Sequence, residues 1–117
     1  MLFTGFVNDS ELAGLYKASS AYVFPSLSEG FGLPALEAMS YGTPVISSNS
    51  TCLPEILGDS AVYFDPKNTD NIAKVISQVM ADKRLQEKMV KKGHMRVKKY
   101  NWKSTAKVTL GVYEKIL

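Results

Sequence analysis

A chain of 117 residues can bury one modest core and is too short for two. No stretch nears the ~20 consecutive apolar residues needed to cross a bilayer, and Met1-Leu2-Phe3-Thr4-Gly5 has no signal-peptide character. Cys52 is the only cysteine, which excludes an internal disulfide and fits a reducing cytoplasm. The net charge of +3 is unevenly spread. No Lys or Arg lies between Ala18 and Pro66, a segment holding Glu29, Glu37, Glu55, Asp59 and Asp65. From Lys67 onward the chain is basic, most densely at Lys83-Arg84, Lys88, Lys91-Lys92, Arg96 and Lys98-Lys99. A solvated helical face is the ordinary reading of such a run, with membrane-surface contact as the sharper one. Nucleic acid is disfavoured, because only Tyr100 and Trp102 offer aromatic surface among the bases. One Cys, His94 and scattered acids make no metal site.

Taken in order, Leu2-Phe3-Thr4 is a short strand candidate ended by Gly5. Asn8 with Glu11 reads as a capping box that opens a helix through Leu12, Leu15 and Tyr16. Ala21-Tyr22-Val23-Phe24 is a buried-type strand that Pro25 stops. A polar loop leads to Gly30-Phe31-Gly32, and Pro34 suits the first turn of a helix through Ala35, Leu36, Ala38 and Met39 that Gly42 closes. Val45-Ile46 is a third strand, Leu53–Leu57 a helical turn, and Ala61–Phe64 a fourth strand. Ile72, Val75, Ile76, Val79 and Met80 mark one helix face, with Thr69 as its N-cap. Leu85, Met89, Val97 and Tyr100 mark a second helix, with Gly93 as a weak point, and Trp102, Ala106, Leu110, Tyr113 and Leu117 mark a third. Alternating strands and helices predict an α/β fold: a partial Rossmann-like parallel sheet of about four strands followed by helices. The expected division is a nucleotide-binding part at 1–100 and a C-terminal helix at 101–117.

Chemistry is concentrated in Pro25–Met39, a strand end, a glycine loop and a helix start. In open α/β sheets, ligands bind beyond the carboxyl ends of the strands, where such loops lie. Gly30 and Gly32 let a ligand approach the main chain, and the unsatisfied N–H groups of the following helix suit a phosphate. The helix dipole supplies only about 0.3–2 kcal/mol, so a diphosphate needs a further cation. Glu29 and Glu37 frame the loop. A carboxylate repels phosphate, but its two acceptor oxygens match paired sugar hydroxyls, each such bond being worth roughly 1.5–3 kcal/mol. Taken singly, Glu37 is an acid favoured in a first helical turn and Glu29 a solvated loop acid. Two acids around one phosphate-reading helix end imply a nucleotide sugar.

Glu29-Gly30-Phe31-Gly32-Leu33-Pro34 with Glu37-Ala38-Met39 resembles the E-x7-E motif of retaining glycosyltransferases of the GT-B fold, in particular the GT4 family. Thr4-Gly5-Phe6-Val7, Val23-Phe24-Pro25-Ser26, Gly42-Thr43-Pro44-Val45-Ile46, Leu53-Pro54-Glu55 and Tyr63-Phe64-Asp65-Pro66 follow in that family's order. The resemblance implies that Glu37 binds the ribose diol of a UDP- or GDP-sugar. It implies further that Glu29 contacts the transferred sugar as the catalytic-site acid, and that main-chain N–H groups of Gly30, Phe31, Gly32 and Leu33 hold the diphosphate and sugar. Phe6 and Val7 would line a base pocket. It also implies hexose transfer with retention, without metal or other cofactor, in a cytoplasmic enzyme of polysaccharide synthesis at the inner face of the membrane.

The family's usual Arg/Lys pair for the diphosphate has no counterpart, since Lys17 is the only base before Lys67. In that family the pair comes from earlier in the same domain, so the resemblance implies that this part, together with an N-terminal acceptor-binding domain or a partner chain, lies outside these residues, with Met1 as an internal start or the start of a fragment. In the family's strand order Leu2–Thr4 would lack its neighbour, so detachment of that strand, an exposed final helix and self-association are expected. Two other readings remain. A non-catalytic fragment or split-transferase subunit would turn over only beside its partner. A nicotinamide-dinucleotide domain would use Gly30-x-Gly32-x-x-Ala35, but Ser47-Ser48-Asn49-Ser50 stands where its ribose-binding acid belongs.

Overall fold

Asn8 fixes where regular structure begins. In the computed structural model, which describes residues 1–117, its side chain accepts from the Glu11 backbone N–H while the Glu11 carboxylate accepts from the N–H of Asn8. This reciprocal cap starts α1 (Asp9–Ala18). There follow β1 (Tyr22–Phe24), α2 (Leu33–Ser40), β2 (Val45–Ser48) and α3 (Leu53–Leu57). After a 3₁₀ turn at Gly58–Ser60 come β3 (Ala61–Phe64), α4 (Thr69–Ala81), α5 (Lys83–Val97) and α6 (Trp102–Ile116).

The three strands form one parallel sheet in the order β1-β2-β3, with Tyr22 opposite Val45, Ile46 opposite Val62 and Ser47 opposite Tyr63. β2 is central and all four of its residues are buried. Successive side chains of a strand point to opposite faces, and Val45 and Ile46 accordingly enter two different cores. Val45 packs with Tyr16, Leu36, Met39, Leu53 and Leu57 under α1, α2 and α3. Ile46 packs with Phe64, Val75, Val79 and Met89 under α4 and α5. Parallel strands covered on both faces read as continuous apolar runs, which is why the sequence shows them without alternation.

Four details depart from the sequence reading. Leu2–Thr4 forms no strand: Leu2 and Phe3 are fully exposed coil, because no element within the chain offers them a ladder to join, and the sheet has three strands rather than about four. The N-cap of α4 is Asn68, whose side chain accepts from the N–H of Asn71, and Thr69 is the first helical residue. Asparagine caps at least as well as threonine and sits one position earlier. α5 ends at Val97, leaving Tyr100 beyond it. The helix also runs unbroken through Gly93, whose place is set by packing: a Cβ there would lie 3.2 Å from Cγ of Met39 on α2. Glycine thus lets α5 approach α2 closely, which offsets its cost of about 1 kcal/mol in a helix.

α6 buries none of its residues, and Trp102 at its start is 80% exposed. The molecule extends 54 Å along its long axis with a radius of gyration of 16.0 Å, against about 13 Å for a sphere-like domain of this length. Since no residue of α6 is buried, deleting residues 102–117 is expected to change the unfolding free energy by less than about 0.5 kcal/mol. The same deletion removes a largely apolar face and is expected to reduce self-association. Thermal unfolding and sedimentation of the two forms would check both.

Candidate functional site

The glycine loop between β1 and α2 is shaped by one backbone feature. Gly32 is the N-cap of α2 with φ 86 and ψ 40, in the left-handed region that L-residues avoid. A Cβ at this position would stand 2.6 Å from Cδ2 of Leu53, a fully buried residue. Pro34 occupies the first turn, where a missing N–H costs nothing. No side chain caps α2, so the N–H groups of its first turn take no side-chain partner. Gly30 differs: it has no positive φ, and a Cβ there would meet nothing within 4 Å.

Glu29 is held through its backbone. Its N–H donates to Thr51 Oγ1 at 3.2 Å, and its carbonyl accepts from Thr51 Oγ1 and from Cys52 Sγ, both at 3.3 Å. Thr51 is the only non-glycine residue with positive φ (50°), a strained position. The segment after β2 therefore fixes where the half-buried Glu29 stands. Glu37 lies on the exposed side of α2, one turn inside the helix.

The two carboxylates act electrostatically on one tyrosine. Burial pushes the Tyr22 phenol up to about 12, and the Tyr16 phenol, Glu37 and Glu29 each add to that rise. Tyr16 is raised in the same way, first by burial and then by the charge of Glu37. Tyr16 and Tyr22 meet edge to face at 5.5 Å, and Tyr16 stacks on Tyr41 at 5.8 Å. Lys17, the one base before Lys67, lies over the Tyr41 ring at 5.6 Å. Raised phenol pKa values mean that these tyrosines stabilise the fold while neutral. The contribution of Tyr22 and of Tyr63 (also about 12, chiefly through burial) is complete below the unfolded value of ~10 and is lost as pH rises through 12. Absorbance titration is expected to show two of the six tyrosines ionising near 12, and Tyr22→Phe to remove one of them.

A cavity of about 240 Å³ adjoins the loop, between α2 and the start of α6, lined by Phe31, Leu33, Glu37, Tyr100 and Trp102 among others. Glu37 lines it; Glu29 does not. Phe6 is 95% exposed and Val7 half-buried, and neither borders this cavity. Ser26 is used locally, its hydroxyl donating to the carbonyl of Ser28 at 3.1 Å. Glu55 stands exposed in the first turn of α3, and His94 is exposed on α5. No group of three or more His, Cys, Asp or Glu side chains converges as a metal site would require. β2 continues through Ser47 and Ser48, so no acid ends it as a dinucleotide fold would need. The sequence reading missed Thr51, Cys52, Tyr16 and Tyr22 as neighbours of the loop. Nothing in a lone Thr announces a positive φ, and both tyrosines read as ordinary core residues of a helix and a strand.

Residues 1–96 match the family model described as Glycosyl transferases group 1. The chain is 40% identical over 112 residues to the O-antigen chain mannosyltransferase B of Escherichia coli, covering 96% of this chain and 29% of that protein. It is 36% identical over 115 residues to an MMP alpha-(1->4)-mannosyltransferase of Mycolicibacterium hassiacum, covering 95% of this chain and 28% of that protein. It thus spans under a third of the length of these two relatives. Among solved structures, sucrose-phosphate synthase from Thermosynechococcus elongatus superimposes with a TM-score of 0.87 at 31% identity, covering 98% of this chain and 30% of that one. The C-terminal domain of a glycosyl transferase group 1 family protein from Francisella tularensis gives 0.72 at 34% identity, covering 83% and 51%. A parallel sheet with helices on both faces, a left-handed glycine opening α2 and a match over residues 1–96 lead to one conclusion: the chain has the GT-B type of fold and belongs to the glycosyl transferases group 1 family.

Proposed function

We propose that the loop from Glu29 to Leu33 and the first turns of α2 bind a nucleotide-sugar donor for a retaining hexosyl transfer. Glu37 accepts from the ribose diol, Glu29 accepts from hydroxyls of the transferred sugar, and the N–H groups of Phe31, Gly32 and Leu33 receive the diphosphate. The observation that carries this reading is a left-handed Gly32 opening a helix with no side-chain cap, with Glu29 anchored on Thr51 and Cys52 just before it and Glu37 one turn inside it. The relatives named as mannosyltransferases support mannose as the transferred sugar, carried by GDP or UDP.

In the reaction, the bond from the sugar C1 to the phosphate oxygen breaks while a bond from C1 to the acceptor oxygen forms on the same face. The acceptor's proton passes to the departing phosphate. Glu29 then works by position and charge rather than as a nucleophile, and no metal or other cofactor takes part. Cations for the diphosphate come from residues outside this chain, in an earlier part of the same domain or in a partner chain, because Lys17 is the one base before Lys67. A lone half-buried Cys52 suits the cytoplasm, and the basic face of α5 suits the inner membrane surface.

Titration of the chain with GDP-mannose, UDP-glucose and NADH, followed by Trp102 fluorescence, tests the reading. Saturable binding of a nucleotide sugar and none of NADH is expected; binding of NADH alone would overturn it. The split-subunit reading keeps donor binding but places turnover only in the presence of a partner, so turnover by the purified chain would exclude it.

A further inference from the structure

The Glu29–Gly32 loop is gripped at its start by Thr51 and Cys52, the residues leading into α3. It is touched again through Phe31, whose ring meets that of Tyr100 edge to face at 5.5 Å. Tyr100 is not free to move. Its hydroxyl donates to the carbonyl of Ile56 at 3.0 Å, and the Arg96 guanidinium lies over its ring at 5.8 Å. Arg96 also donates through Nε to the same Ile56 carbonyl at 2.7 Å, and through Nη2 to the carbonyl of Glu55. One side chain thus closes the carboxyl end of α3, where orphan carbonyls favour a cation, and braces the ring behind the loop.

The sequence leaves room for this. Gly58 has φ 56, and a Cβ there would lie 3.1 Å from Cζ of Arg96. Any larger residue at 58 would push against the guanidinium. The segment from Thr51 through α3 therefore touches the loop from both its ends: directly through Thr51, Cys52 and Leu53, and indirectly through Ile56, Arg96 and Tyr100.

We infer that Arg96 is a positioning residue for the donor loop, acting through Tyr100 and the end of α3 to hold Phe31 and its neighbours in place. The inference rests on the donor-site reading for its functional consequence, but not for its mechanical one. Arg96 itself would touch no substrate.

The test combines ¹⁵N relaxation with GDP-mannose titration on the chain and on Arg96→Ala, Arg96→Lys and Tyr100→Leu. Order parameters at residues 29–33 are expected to fall from about 0.85 to below about 0.6 in Arg96→Ala, while those of β2 and β3 stay unchanged. Arg96→Lys, which keeps one charged donor, is expected to recover part of the loss. GDP-mannose affinity is expected to drop about tenfold in Arg96→Ala, equivalent to about 1.4 kcal/mol. If Arg96→Ala fails to fold, Tyr100→Leu removes the ring between Arg96 and Phe31 together with its hydrogen bond to Ile56, leaves Arg96 on the end of α3, and is expected to give the same loosening. Unchanged order parameters at 29–33 beside a lowered melting temperature would make Arg96 merely structural and overturn the inference. Should the parent chain bind no nucleotide sugar, the donor-site reading fails while the relaxation series still decides the brace.

Discussion

Replacing Gly32 with alanine is expected to lower the unfolding free energy by about 2–5 kcal/mol. Two costs add. Holding an L-residue in the left-handed region costs roughly 1–2 kcal/mol, and forcing a methyl into a filled space costs about 1–3 kcal/mol. The space is filled by Leu53, whose Cδ2 would stand 2.6 Å from the new Cβ and which is itself wholly buried. For a domain of this size the loss corresponds to a fall in melting temperature of roughly 10 °C or more. Gly30→Ala is the control, because its Cβ meets nothing within 4 Å, and it is expected to stay within about 0.5 kcal/mol of the parent. Equal effects at the two glycines, measured by denaturant titration, would contradict this account of the loop.

Glu37→Gln is expected to weaken binding of a nucleotide sugar by about 10- to 150-fold, the equivalent of roughly 1.5–3 kcal/mol for a hydrogen bond to a charged group. The amide keeps the size of the carboxylate, and Glu37 is exposed on α2, so stability is expected to change by less than about 0.5 kcal/mol. Glu29→Gln is expected to weaken binding on a similar scale, with a different dependence on ligand. If Glu37 reads the ribose, its variant loses affinity for GDP as well as for GDP-mannose. If Glu29 reads the sugar, its variant loses affinity for GDP-mannose and keeps it for GDP. Calorimetric titration of both variants with both ligands separates the roles, and identical profiles would remove the assignment.

The parts of the fold that could be read from sequence are those specified by local chemistry. The Asn8–Glu11 box, Pro25 as a stop, Pro34 in a first turn and Gly42 after α2 are each short-range signals, and each is present in the structure. The errors fall where tertiary context decides. Leu2–Thr4 has the composition of a strand but no ladder to join, so it remains coil. Gly93 reads as a weak point in its helix until Met39 is seen beneath it, and then it reads as clearance between two helices. The loop's glycines were visible, but not the difference between them: only Gly32 needs its positive φ and its clearance from Leu53. Likewise the two acids stood out by spacing, whereas Thr51, Cys52, Tyr16 and Tyr22 gather around the loop only through the pairing of β1 with β2 and the packing of α1 on α2.

The most direct test of the donor site is a crystal structure of the chain with GDP-mannose or UDP-glucose bound. The ligand's diphosphate is expected at the N–H groups of Phe31, Gly32 and Leu33, its ribose diol within hydrogen-bond distance of Glu37, and its hexose within hydrogen-bond distance of Glu29. A nucleotide sugar seated elsewhere, or one that leaves the Glu29 and Glu37 carboxylates turned to separate solvent-filled sides of the loop, would contradict it.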